Sequence, residues 1–189
     1  MRSPIVAFLF ACTTLIPASA APLEERLAPC LACHGEHGQS ENKEVPSLGA
    51  QPKDFVLIQL FMFRQKMRKV ELMNDMTKDL SDDDLRAFSE KIAALPAPKP
   101  PAEPGDAARS ERAKALVAQH RCAFCHKPDF SGQDQVPHLA AQREDYLLKA
   151  LRDYKSNARA GYDATMAEVV QPLSDENFVD LANYLAHPR

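Results

Sequence analysis

The sequence predicts an all-α protein built from two tandem small helical bundles. Three observations predict it. Apolar residues recur at helical spacing, and no strand-like alternation of any length interrupts them. A run containing Pro96, Pro98, Pro100, Pro101 and Pro104 reads as a stiff linker between halves of similar length. The halves also repeat one another. Pro46-Ser47-Leu48-Gly49-Ala50-Gln51 parallels Pro137-His138-Leu139-Ala140-Ala141-Gln142, and Asp54, Leu57, Leu60 and Arg68 parallel Asp145, Leu148, Leu151 and Arg159. The net charge of -3 offers no basic field for a nucleic acid.

Taken in order, residues 1–20 read as a secretory signal. Arg2 supplies the positive end, Ile5 to Ile16 the apolar region, and Ala18-Ser19-Ala20 the cleavage site. Phe10 is bulky for a lipoprotein box ending at Cys12, so cleavage after Ala20 is expected. The apolar run is short for a membrane span of about 20 residues. Domain 1 is expected at 21–95, the linker at 96–106 and domain 2 at 107–189.

In the first half, Leu23 to Cys33 reads as a helix despite Pro29. Gly35 to Gly49 reads as a loop. A helix is expected from Gln51-Pro52 to about Arg68, with Pro52 at its first position. Val70 to Leu80 reads as a second loop. Ser81 then caps a helix that carries Leu85, Phe88 and Ile92 on one face. The second half follows the same plan. Helices are expected over Ala107 to Ala123, Gln142 to Lys155, and after Ser174 with Phe178, Leu181 and Leu185 facing inward.

Each half holds one Cys-x-x-Cys-His motif: Cys30-Leu31-Ala32-Cys33-His34 and Cys122-Ala123-Phe124-Cys125-His126. This is the attachment signature of c-type haem. Two thiols bind the porphyrin covalently, and the adjacent histidine supplies one nitrogen to the iron. Cys-x-x-Cys pairs also form zinc sites or disulfides, but neither explains both trailing histidines. The fifth cysteine, Cys12, lies in the signal, so no spare thiol remains in the mature chain.

A closed iron needs a second axial ligand from the opposite face. Met166 is the only methionine of the second half, eight residues before Ser174. Met62, Met67, Met73 and Met76 compete in the first half. Met73 stands eight residues before Ser81, matching Met166, and is the expected ligand. Met76 aligns with Val169 and reads as packing, as does Met62 inside its apolar helix. Both expected ligands fall in segments read as loops. His37 is too close to His34 to reach the far face, His120 reads as a surface residue, and neither His138 nor His187 is expected to ligate iron.

The series Cys-x-x-Cys-His, Pro-x-Leu-x-x-Gln, Met and Leu-Ser-Asp resembles class I cytochrome c. Two copies behind a signal resemble the di-haem cytochrome c4 group. The resemblance implies two tandem class I cytochrome c domains, each a small helical bundle around one covalent haem. It also implies electron transport in the periplasm, with two haem c groups and domains facing each other across a pseudo-two-fold axis. Pro46 and Pro137 are implied to accept a hydrogen bond from the ligating histidines through their carbonyls. The sequence departs from the family where Lys127 replaces the usual glycine after the motif histidine, and where Ala141 precedes Gln142.

An electron carrier is therefore expected, not an enzyme, because His/Met irons leave no open position for a substrate. The rival is a dedicated electron-accepting haem subunit of a periplasmic dehydrogenase acting on a small sulfur compound or an alcohol. Expected partners are redox proteins: a haem-containing reductase or oxidase, or such a dehydrogenase. The carrier would be free in the periplasm or peripheral to the membrane.

Overall fold

The computed structural model describes residues 21–159 and 164–188. The signal, its cleavage site and Cys12 lie outside the described residues. All regular structure among the described residues is helical, apart from an isolated bridge between Gln133 and Val136. No helix among them is long and apolar enough to cross a membrane.

The first half contains α1 (Leu23–His34), α2 (Lys53–Arg64), α3 (Glu71–Thr77) and α4 (Asp82–Ala93). Its core joins Leu27, Val56, Leu60, Leu85, Phe88 and Ile92, the face that the helical spacing marks out. α1 continues through Pro29 although proline removes a helical hydrogen bond. Tertiary contacts hold the helix: Leu27 is buried, and Arg26 bonds Asp84 at 2.6 Å while lying over the Phe88 ring.

The second half contains α5 (Ala107–Gln119), α6 (Cys122–His126), α7 (Glu144–Lys155), α8 (Thr165–Val170) and α9 (Asp175–Ala186). α5 and α7 pack on α9 around Ala113, Leu151, Val170, Phe178 and Leu181. Deep in this packing, Asp180 takes a two-pronged hydrogen bond from Arg112, both contacts at 2.7 Å. That pairing satisfies a carboxylate that burial would otherwise make costly.

Several expected boundaries are corrected. α2 stops at Arg64 instead of reaching Arg68, because Lys66 turns left-handed and the amides of Met67 and Arg68 fold back onto the Met62 carbonyl. Pro52 sits before the first helical residue, not at it. The helix read over Ala107 to Ala123 is broken in two by Arg121, at φ 53°. The break lets α5 stay on α9 while the motif turns toward its own cleft. The segments read as loops around Met73 and Met166 form α3 and α8. Helices of two turns or fewer carry too little periodicity to be read reliably.

Ser81 and Ser174 cap α4 and α9 as the sequence indicates. The return bonds come from Asp84 and Asn177, residues outside the usual Glu/Gln capping-box signature. The proline-rich segment is strapped down at both ends. Gln39 exchanges two bonds with the Lys99 backbone, and Gly105 lies so near the His187 ring that a Cβ would sit 2.7 Å from it.

The repeat extends to backbone geometry. Ala50 and Ala141 are both left-handed, and their amides bond the carbonyls of Leu95 and Leu185 at the ends of their own halves. Gly35 and Lys127 likewise share a positive φ, 88° and 67°. A Cβ on Gly35 would meet the Gln39 carbonyl oxygen at 2.0 Å. Lys127 instead holds a side chain at φ 67° and ψ 161°, a region that costs about 1–3 kcal/mol outside glycine. Lys127→Gly relieves this strain and adds unfolded-state entropy of about 1 kcal/mol. A net gain of about 1 kcal/mol is expected, visible as later denaturant unfolding; earlier unfolding would remove the strain argument.

Candidate haem sites

Local structure delivers each motif to a wall of its own half. Cys30 packs against the first core, Cys33 is exposed, and His34 is buried at the end of α1. His34 Nδ1–H donates to the Pro46 carbonyl at 2.8 Å. His126 Nδ1–H donates to the Pro137 carbonyl at 3.1 Å. A carbonyl can only accept, so each Nδ1 carries the proton and each Nε2 lone pair is left for a metal. Burial pushes both imidazoles below their ordinary pKa, which favours the neutral, ligating form.

In the second half, Cys122, His126 and Met166 line one apolar cleft together with Phe130, Leu139 and Leu173. The four motif cysteines are free thiols, not disulfides, as covalent attachment requires. Met73 is half-buried on α3, which packs against α2.

The competing methionines separate by burial. Met62 is 1% exposed and belongs to the core, as its helical position indicates. Met67 and Met76 are exposed at 53% and 40%, so the packing role read for Met76 is corrected. Its register faces outward on a helix of only two turns. His138 is buried and bonds the Ala140 carbonyl, and His187 bonds the Asn183 carbonyl, both structural roles.

Sequence reasoning missed Asn74. Its side chain accepts from the Val70 amide and donates to the carbonyls of Phe63 and Arg68. It thereby fixes α3, and with it Met73, to the end of α2. Asn74→Ala leaves two carbonyls unanswered and is expected to cost about 1–3 kcal/mol. Hydrogen exchange should quicken in α3 before the core of α4; unchanged α3 protection would contradict this role.

A polar hub joins the halves, and sequence reasoning missed it too. Arg68 reaches Gln59 Oε1 at 2.7 Å and the Tyr146 hydroxyl at 3.3 Å. Arg159, its repeat partner, reaches the same two groups at 3.5 and 3.2 Å. Burial alone would raise the Tyr146 pKa, but Arg159 and Arg68 outweigh it and pull the phenol down to about 7. Two guanidiniums converging on a carboxamide and a phenol form a donor set suited to carboxylates. A haem carries two carboxylates, so the hub, the apolar cleft, the free thiols and the histidine tautomers all fit that group. The signal for the hub was the Arg68/Arg159 match, which was visible in the repeat but had no assigned partner.

A thiol pair spaced for covalent attachment, an oriented neutral histidine and an apolar cleft in an all-α half define a class I cytochrome c site. The cytochrome c family model matches residues 110–188. Cytochrome c-554(548) of Halomonas halodenitrificans is 35% identical over 65 residues, which is 33% of this chain and 78% of that protein. The chain belongs to the cytochrome c family. Over its length it is similar to cytochrome c4 of Pseudomonas aeruginosa, at 28% identity across 88% of this chain and 87% of the relative. The thiosulfate dehydrogenase electron acceptor of Thiomonas intermedia is also 28% identical, across 96% and 88%. The crystal structure of reduced cytochrome c4 from Pseudomonas stutzeri superposes with a TM-score of 0.79 at 26% identity, covering 88% and 97%. The protein is thus a cytochrome c4-like electron carrier with two tandem class I domains and two covalently bound haem c groups, not an enzyme.

Proposed function

We propose that the protein carries single electrons between redox partners in the periplasm, with domains at 21–95 and 107–189 joined by the linker at 96–106. Export would follow cleavage of the signal after Ala20. Each haem supplies one reversible electron when bound. Cys30 and Cys33 hold the first haem, and Cys122 and Cys125 the second. His34 and Met73 would supply the two protein ligands to the iron in domain 1, and His126 and Met166 those in domain 2. The observation that carries this reading is the second cleft, where Cys122, His126 and Met166 line one apolar wall. The Pro46 and Pro137 carbonyls orient the imidazoles, and the apolar lining of the second cleft would keep water from its iron.

Partners dock transiently. Phe124 is 83% exposed between Cys122 and Cys125, with exposed Arg121 and Lys127 beside the motif. An apolar contact with a positive rim suits a redox partner presenting acidic residues. That partner is a haem-containing reductase or oxidase, or a periplasmic dehydrogenase. The similarity to a thiosulfate dehydrogenase electron acceptor favours, as a second reading, a dedicated acceptor for such a dehydrogenase. Rapid reduction by a thiosulfate dehydrogenase and its substrate, against slow reduction by a quinol-oxidising reductase, would select it.

The carrier reading is tested by reductive titration under carbon monoxide. Two electrons per chain and no carbon monoxide binding are expected, because both irons are closed. Stoichiometric binding at either iron would reveal an open site and overturn the reading.

A further inference from the structure

Gln51 and Gln142 occupy the same place in the two repeats, and each is almost fully buried in the opposite half. Gln51 Nε2 donates to the His138 carbonyl at 2.9 Å, and its Oε1 accepts from the His138 amide at 3.1 Å. Gln142 does the same at Ser47, with both bonds at 2.8 Å. The two glutamines and Ser47 are at most 4% exposed. These are reciprocal clasps across the domain boundary.

Their target gives the clasps chemical meaning. The Ser47 amide belongs to the same planar peptide unit as the Pro46 carbonyl. The His138 amide belongs to the same unit as the Pro137 carbonyl. Each unit is therefore gripped at both ends. Its N–H donates to a glutamine of the other half, and its C=O accepts from the Nδ1–H of a motif histidine. A hydrogen bond at the N–H end draws charge toward the oxygen and strengthens it as an acceptor. A stronger acceptor at Nδ1 makes the imidazole a more basic ligand.

We propose that Gln51 and Gln142 are cross-domain positioning residues: each sets the basicity of the motif histidine in the opposite domain, and so the potential of the opposite haem. Gln51 acts on His126 through Pro137, and Gln142 acts on His34 through Pro46. This rests on the assignment of His34 and His126 as iron ligands. Two domains that attach haem separately are then coupled in tuning through neutral amides buried between the halves.

The test is a pair of crossed substitutions in the full chain with its haems attached. Gln51→Met keeps the length of the side chain and removes the clasp. Gln51→Glu keeps an oxygen that can accept from the His138 amide. NMR-monitored redox titration follows each haem separately, with signals assigned from the Met73→Ala and Met166→Ala proteins. Gln51→Met is expected to raise the potential of the second haem and leave the first in place, because the oxidised iron loses donation from a weakened ligand. Gln51→Glu should not raise it. Gln142→Met should raise the potential of the first haem only, which decides the matter even if the Gln51→Met protein fails to fold. Unmoved potentials, equal shifts at both haems, a shift confined to the haem of the substituted half, or a rise in Gln51→Glu would overturn the relay. Haem content is measured on every variant. Two haems with uncrossed potentials reject the relay alone, whereas missing haem rejects the reading beneath it.

Discussion

Met73→Ala is expected to open the iron of the first domain and leave the second closed. The repeat supplies the register: Met166, unrivalled in its half, stands as far before Ser174 as Met73 does before Ser81. Both lie on short helices, α8 and α3, each packed on the long helix that precedes it. Asn74 anchors α3 by three hydrogen bonds, so the Met73 backbone is held for a ligand. Loss of the thioether should remove about half of the sulfur-to-iron charge-transfer band. It should also lower that haem's potential, because methionine ligation raises it. Carbon monoxide should then bind one iron per chain. Met67→Ala and Met76→Ala, at exposed positions, should keep the full band and change stability by about 0.5 kcal/mol or less. Met62→Ala should also keep the band, yet cost about 2–5 kcal/mol as a core truncation. A full band in Met73→Ala, lost instead in Met67→Ala or Met76→Ala, would mean that the repeat had been read in the wrong register.

Replacing Cys122 and Cys125 together by alanine is expected to leave one covalent haem, in the first domain. Each half has its own motif and its own hydrophobic core, with no buried core residue shared between them. The second domain should suffer most, since the apolar cleft beside Val170 and Leu173 would lose its filling. Mass spectrometry and the residual absorbance should both report one haem. Loss of both haems from a chain whose first domain is still folded would show that attachment is not independent.

The helical plan was legible because it rests on long apolar faces: Leu85, Phe88 and Ile92 form one, and Phe178, Leu181 and Leu185 the other. The motif residues were legible because their chemistry demands fixed spacing. The breaks at Lys66 and Arg121 were not, because both are non-glycine residues that turn left-handed without a local sequence cue. The short helices bearing Met73 and Met166 were read as loops for want of two full periods. The glutamine clasps and the arginine hub escaped for a different reason. Gln51, Gln142, Arg68 and Arg159 were visible as matches, but their partners lie across the domain boundary, at sequence separations no local pattern reports. Lys127 was noticed as a departure from the family glycine, and its strained backbone became visible only in the structure.

The central claim is that each motif holds its own haem through its own cysteines. A pyridine haemochrome spectrum of the purified full chain, set against its protein concentration, tests this most directly. Two c-type haems per chain, retained through acid–acetone extraction, are the predicted result. A spectrum showing no haem, a single haem, or haem that extracts freely would contradict it.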